Sequence, residues 1–245
     1  MSAAMLLWGT VIHRPYVYAF FACYLFSGIY QLGWRRTGAY LVIAYLLALA
    51  CELNSTRFGF PFGLYTYIDT TRTRELWISN VPFWDSLSFV FLSYYRWNLA
   101  GAILGKLSGW RTFLLSGLAM MLLDVVIDPL TLRGDRWFLG KIYYYPGGGS
   151  YFGVTLANFA GWFFVGALIP WVCQAFARRP AREPRGIFAW SIFGIYAGVF
   201  AFNVGITAWI GDWRLFAASL AVAAFTLGCT SSLLRRSLRE GQAHA

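Results

Sequence analysis

Four acidic side chains stand where an apolar chain has least reason to put them: Glu52, Asp85, Asp124 and Asp128 all fall within long hydrophobic runs or at their ends. A carboxylate at membrane depth costs a few kcal/mol unless it is paired, protonated or beside a wet cavity, so each is a candidate for function. Desolvation disfavours the charged carboxylate, and a neutral acid can hold a proton and give it up. Asp124 and Asp128 lie four residues apart, which places them on one helix face about a turn apart. Asn158 falls at a similar depth in a later run, and a buried amide there needs a carboxyl or a water as partner. Around these groups come Asn54, Ser55, Tyr65, Tyr67, Trp84, Ser86, Ser88, Tyr151 and Trp162. The plainer reading is that the acids pair with Arg57, Arg96 or Arg133 or cap helix ends. Asp85, just inside a helix start, also favours the helix dipole. The run Tyr143–Tyr145 reads as interfacial anchoring. Asp69, Glu75 and Asp135 fall in loops and are expected to be dispensable.

The elements that position these groups are membrane helices. Apolar runs separated by Arg and Gly/Pro clusters predict spans over Tyr16–Trp34, Gly38–Ser55, Val81–Trp97, Thr112–Leu130, Gly153–Ala177, Ile187–Ile210 and Leu215–Leu234. The chain therefore reads as all-α, a polytopic transmembrane helix bundle of about seven spans, with residues 1–245 forming a single integral membrane domain. The longest connections are Thr56–Asn80 and Thr131–Phe152. The densest basic cluster, Arg178, Arg179, Arg182 and Arg185, sits in a short loop, which the positive-inside rule makes cytoplasmic. That puts the N-terminus outside and the C-terminus in the cytoplasm. Of ten acidic residues, only Glu183 and Glu240 fall on the cytoplasmic side. Because successive spans alternate in direction, Glu52, Asp85, Asp124 and Asp128 reach one depth in the other leaflet. Met1–Ile12 is uncharged and lacks the form of a cleaved signal, so the N-terminus is expected to be retained.

Composition excludes a water-soluble globule: 59% of the 245 residues are hydrophobic and 12% charged, with a mean hydropathy of +0.56, against about 25% charged in ordinary soluble domains. Aromatics make up 20%, which suits an interior that meets something large, flat or unsaturated. The net charge of +10 is spread over loops, so it reports membrane orientation and argues against a nucleic-acid partner. The four cysteines stand singly and suggest neither disulfides nor a metal site. The histidines His13 and His244 are both terminal, so no iron-holding histidine cluster is encoded. No G-x-G-x-x-G follows a strand, so no built-in dinucleotide site is expected. What remains is carboxyls, an amide, phenols and water beside an aromatic cavity.

In order along the chain come Glu52, then Phe60-Pro61-Phe62-Gly63-Leu64-Tyr65-Thr66-Tyr67, Val81-Pro82, Asp124 with Asp128-Pro129, and Tyr151-Phe152-Gly153-Val154 leading to Asn158-Phe159-Ala160-Gly161-Trp162. This series resembles the integral-membrane carotenoid biosynthesis proteins that hydrate terminal double bonds of acyclic carotenoids, including the bisanhydrobacterioruberin, gamma-carotene and lycopene hydratases. Thr155 after Val154, and Asn54-Ser55 before the Phe-Gly stretch, depart from the family pattern. The resemblance implies a cofactor-free, metal-free hydro-lyase of the carotenoid 1,2-hydratase type, in a bacterial plasma membrane. Its partners would be an acyclic carotenoid, water, the lipid bilayer and other enzymes of the pathway. The residues supply a mechanism for it: one carboxyl protonates the terminal isopropylidene, water meets the tertiary cation, and a second carboxylate takes the water's proton. Asp124, Asp128, Glu52, Asn158 and Asp85 are the expected catalytic set; Tyr65, Tyr67, Trp84, Tyr151 and Trp162 are expected to bind substrate and face the cation. A carotenoid cyclase or isomerase would begin with the same protonation but exclude water, and a polyene- or lipid-binding or transport protein would use no chemistry at all.

Overall fold

A computed structural model describes residues 2–175 and 182–243. Ala177, Arg178, Arg179 and His244, on which some of the expectations above rest, lie outside those residues. Among the described residues the chain forms α1 (Ala3–His13), α2 (Pro15–Leu32), α3 (Trp34–Phe58), α4 (Phe83–Leu104), α5 (Trp110–Thr131), α6 (Leu156–Ala175), α7 (Gly186–Trp209) and α8 (Trp213–Ala243). Helices α2 to α8 fall on the seven expected runs. Five of them, α3, α5, α6, α7 and α8, are long and apolar enough to cross a membrane. α2 and α4 are long enough but more polar, and for α4 the reason is its position. It runs through the middle of the bundle, packed on α2, α3, α5, α6, α7 and α8, with Ser86, Leu87 and all of Phe89–Ala102 buried. Its Ser, Tyr, Arg and Asn side chains face protein, so its composition is not that of a lipid-facing helix. α1 is an eleven-residue helix that the hydropathy pattern left outside its spans; Ser2 Oγ caps it by accepting from the Met5 N–H at 3.3 Å.

The two long connections meet at one end of the bundle and roof it. Strand β1 (Thr66–Tyr67) lies in the first connection and β4 (Tyr143–Tyr144) in the second. They pair antiparallel, Tyr67 opposite Tyr143. A second short ladder joins β2 (Trp77–Ile78) to β3 (Val81–Pro82) and feeds directly into α4. Val81 and Pro82 are therefore extended, and the helix begins at Phe83 rather than at Val81 as expected. The roof is pinned to the helices by a buried ion pair. Arg14 Nε meets Glu75 Oε1 at 2.7 Å, and Arg14 Nη1 donates to the Leu139 carbonyl at 2.7 Å. Thr10 Oγ1 of α1 accepts the Leu76 N–H at 2.8 Å. Glu75 is thus a buried, paired acid rather than one in an open loop: the loop that carries it folds back over the bundle.

α5 and α6 approach more closely than any ordinary pair of side chains would allow. A Cβ on Gly117 would lie 2.4 Å from the Phe163 carbonyl oxygen, and one on Gly166 2.5 Å from Met120 Cβ; Ser116 Oγ adds a hydrogen bond to the Gly166 carbonyl at 2.9 Å. Small residues at a membrane helix interface permit this closeness. One turn nearer the roof, Gly161 does the same for the Phe60–Gly63 turn, where a Cβ would sit 2.7 Å from the Pro61 carbonyl oxygen. That turn is held from below by Ser55 Oγ, which accepts the Phe62 N–H at 2.9 Å, and by Asn54 Nδ2, which donates to the Phe60 carbonyl at 2.6 Å. Asn54 and Ser55 thus shape the turn rather than the chemistry.

Candidate active site

Beneath the roof, between α2, α3, α4, α5, α6 and α7, lies a cavity of about 140 Å³, room for several waters or one apolar end group. Glu52, Asp85, Asp128 and Asn158 line it together with Tyr65, Tyr67, Trp84 and Trp162. Asp124 stands immediately behind, fully buried. The close contact of α5 with α6 brings Asn158 to both aspartates: its Nδ2 donates to Asp124 Oδ2 and to Asp128 Oδ2, each at 2.6 Å. Two N–H groups thus satisfy two carboxyls one helical turn apart. Asp124 Oδ1 is buried and has no protein partner.

Across the cavity, Tyr67 bridges the other two acids. Its hydroxyl contacts Glu52 Oε2 at 2.8 Å and also Asp85 Oδ2, and Tyr65 donates to the same Glu52 oxygen. A phenol has one hydrogen, so it donates fully to one of these acids only, and a proton on the other would let that acid donate to the phenol oxygen. The Glu52–Tyr67–Asp85 triplet is therefore an arrangement that can hold a proton at either end. Asp85 occupies the first turn of α4, so it also meets the helix dipole.

None of the expected arginine partners serves these acids. Arg133 pairs with Asp212 at 2.5 Å, Arg57 reaches Ser79 Oγ at 3.4 Å, and Arg96 lies over the Tyr196 ring. Among the described residues none of the four acids forms an ion pair, and no metal-holding group of three or more His, Cys, Asp or Glu is present.

Tyr143 and Tyr145, taken from sequence as interfacial anchors, are buried in the cavity wall, while Tyr144 between them is exposed. That is the alternation of an extended segment, and the Y-Y-Y run hid it. With Tyr65 and Tyr67 they form an edge-to-face cluster, ring centroids 5.3–6.1 Å apart. Tyr145 Oη lies 3.5 Å from Asp128 Oδ2. Burial first, then the neighbouring carboxyls, push the Tyr67, Tyr143 and Tyr145 phenols well above their usual range, so all three remain hydroxyl donors at neutral pH. Trp162 packs at a tilt against Phe89 with centroids 4.7 Å apart, and Trp84 carries Arg14 over its face at 4.6 Å. Tyr151 is not brought to the cavity: it bridges to Val154 and packs on Phe152 and Phe159, fixing the entry to α6. Sequence reasoning also passed over Asn203, an amide in an apolar helix that lines the cavity from α7; the argument that picked out Asn158 applies to it equally.

A family model described as carotenoid biosynthesis protein matches residues 3–226. The bisanhydrobacterioruberin hydratase of Haloarcula japonica is 34% identical over 147 residues, a stretch covering 59% of this chain and 47% of that protein. The match thus spans about half the length of that relative. No solved structure matches.

Proposed function

Since the chain belongs to the carotenoid biosynthesis protein family, we propose that it is a hydro-lyase that adds water across the terminal double bond of an acyclic carotenoid end group, as the name of its hydratase relative suggests. The observation that carries this reading is the pair of carboxyl stations facing one aromatic cavity: a proton-storing Glu52–Tyr67–Asp85 triplet on one side and Asp128, which accepts from donors, on the other. The triplet gives its proton to the CH carbon of the terminal double bond, the π electrons form the new C–H bond, and the positive charge is left on the dimethyl-substituted carbon. The tertiary cation left behind faces the Tyr65, Tyr67, Trp84 and Trp162 rings, whose negative faces favour it. Water held near Asn158 bonds to that carbon through its oxygen, and Asp128 takes the released proton. The proton returns to the triplet through cavity water once the tertiary alcohol leaves, so the sum is alkene plus water to alcohol. Two acids that hold the proton at different times are the requirement of such a cycle. None of these steps draws on a cofactor.

In the same reading the whole chain is one membrane domain of seven spans, α2 to α8, with the roof and N-terminus on the non-cytoplasmic face of a bacterial plasma membrane. α2 and α4 then cross with their polar faces shielded by neighbours. Expression in a bacterium that accumulates acyclic carotenoids tests the function. A pigment heavier by one water per reacted end supports it. A product of unchanged mass favours cyclisation or isomerisation, and unchanged pigment that co-purifies with the protein favours binding or transport.

A further inference from the structure

The cavity is smaller than the molecule it would act on: about 140 Å³, against roughly 300–1,000 Å³ for pockets that enclose a whole drug-sized ligand. An end group enters, and the rest of a linear polyene must run elsewhere. The way straight down is closed. Asp85, Leu92 and Arg96 share one face of α4 by helical spacing. Below Leu92 the Arg96 guanidinium is fully buried and lies 4.4 Å over the Tyr196 ring. Its three nitrogens have no protein hydrogen-bond partner. A hydrocarbon chain offers those three nitrogens no hydrogen-bond acceptor.

The way sideways is open. α2 and α7 both pack on α4 and run antiparallel, and ring pairs pin them together at their two ends. Tyr16 meets Phe202 near the roof, with centroids 6.1 Å apart, and Tyr30 meets Phe188 at the far end at 5.4 Å. At that end Gln31 Nε2 also donates to the Arg182 carbonyl at 2.7 Å. The pins are separated by about 21 Å of helix rise on each side. Between them Cys23, on the α2 face that carries Tyr16 and Tyr30, is exposed, so the two helices do not close over it. Tyr95 of α4, whose hydroxyl bonds Ser27 Oγ at 3.3 Å, stands behind. Phe20 and Val199 line the cavity from these same two helices, so seam and cavity are continuous.

We propose that the seam between α2 and α7 is a lateral groove that holds the conjugated chain of the substrate while its end group sits among the acids. The identity of that substrate rests on the hydratase reading; the groove's affinity for a linear polyene does not. Cys23 reports occupancy directly. The full-length protein in lipid vesicles is alkylated with a membrane-permeant maleimide, with and without an acyclic polyene, and Cys229, exposed on α8, serves as internal reference. With polyene at ten times its dissociation constant only about one site in eleven is free, so Cys23 alkylation slows about tenfold while Cys229 is unaffected. Equal Cys23 rates with and without polyene overturn the groove. In a second arm, Cys23→Trp fills the seam, and turnover of a full-length polyene falls at least about tenfold more than turnover of a short acyclic isoprenoid that ends within the cavity. Phe225→Trp, on the exposed α8 face that carries Cys229 and at 70% exposure, leaves that ratio at the wild-type value. A Cys23→Trp ratio equal to wild type also overturns the groove. If the wild-type protein hydrates neither compound while Cys23 remains protected, the hydration reading fails and the groove stands.

Discussion

Replacing Glu75 with glutamine is expected to destabilise this protein more than any substitution of a surface acid. Arg14 Nε meets Glu75 Oε1 at 2.7 Å and Nη2 meets Oε2 at 3.4 Å, with the two side chains 3% and 0% exposed. Glutamine keeps the volume and one acceptor but removes the charge that faces the buried guanidinium, which retains the Leu139 carbonyl, the Trp84 face and the Tyr16 hydroxyl. Removing one partner of a buried pair costs about 3–5 kcal/mol. The retained acceptor places Glu75→Gln near the lower figure and Glu75→Leu near the upper one. For a chain of this size each kcal/mol moves the midpoint about 2–4 °C, so Glu75→Gln lowers it by roughly 6–12 °C. Thermal unfolding in detergent, followed by tryptophan fluorescence, measures the shift. The double variant Arg14→Met, Glu75→Leu removes both charges and is expected to lie closer to wild type than either single change. A Glu75→Gln midpoint within about 2 °C of wild type, less than 1 kcal/mol, would refute the claim that this pair holds the roof to the helices.

Tyr67→Phe removes the bridging hydroxyl while keeping the ring, and is expected to lower turnover by about 10²–10⁴ with normal protein levels in the membrane, as are Glu52→Gln and Asp128→Asn; pigment analysis beside immunoblots separates the two quantities. Gly117→Leu drives a side chain into the Phe163 carbonyl and is expected to cost at least about 1–3 kcal/mol, seen as loss of folded protein in size-exclusion profiles. Asp212 responds to pH in a defined direction. Burial would raise it, but the Arg133 hydrogen bond, the Leu215 N–H and the Arg133 and Arg136 charges outweigh burial and hold it below the usual carboxylate range. Its contribution is complete above about pH 4 and is lost as pH falls through its own lower value. The Asp212→Asn midpoint is therefore expected to converge with wild type as pH is lowered from 4, and a gap that persists unchanged contradicts the assignment.

Much of this arrangement was legible in the residues. Hydropathy places α2 to α8, because a helix that faces lipid or packs in a bundle must be apolar along its length. Depth alone predicts that Glu52, Asp85 and Asp128 share a cavity with Asn158, since alternating spans bring equal depths together. The roof was not legible. Its strands are two residues long, and β1 pairs with β4 across more than 70 residues of chain, so no local periodicity announces them, and Tyr143 and Tyr145 looked like anchors because their partners lie in another loop. Glu75 looked dispensable for the same reason: its partner, Arg14, lies 61 residues away. The central place of α4 left a trace in its polar composition, which hydropathy alone reads as a weak span.

The source of the oxygen in the product tests the central claim most directly. Membranes containing this protein are treated with chelator, given an acyclic carotenoid without nicotinamide or flavin, and incubated in water enriched in oxygen-18. Addition of water predicts a tertiary alcohol that carries one labelled oxygen per reacted end, at the enrichment of the water, whether or not dioxygen is present. An alcohol whose oxygen comes from labelled dioxygen, or a product that forms only when an electron-carrying cofactor is restored, would contradict hydration and assign the carboxyl cavity to a different reaction.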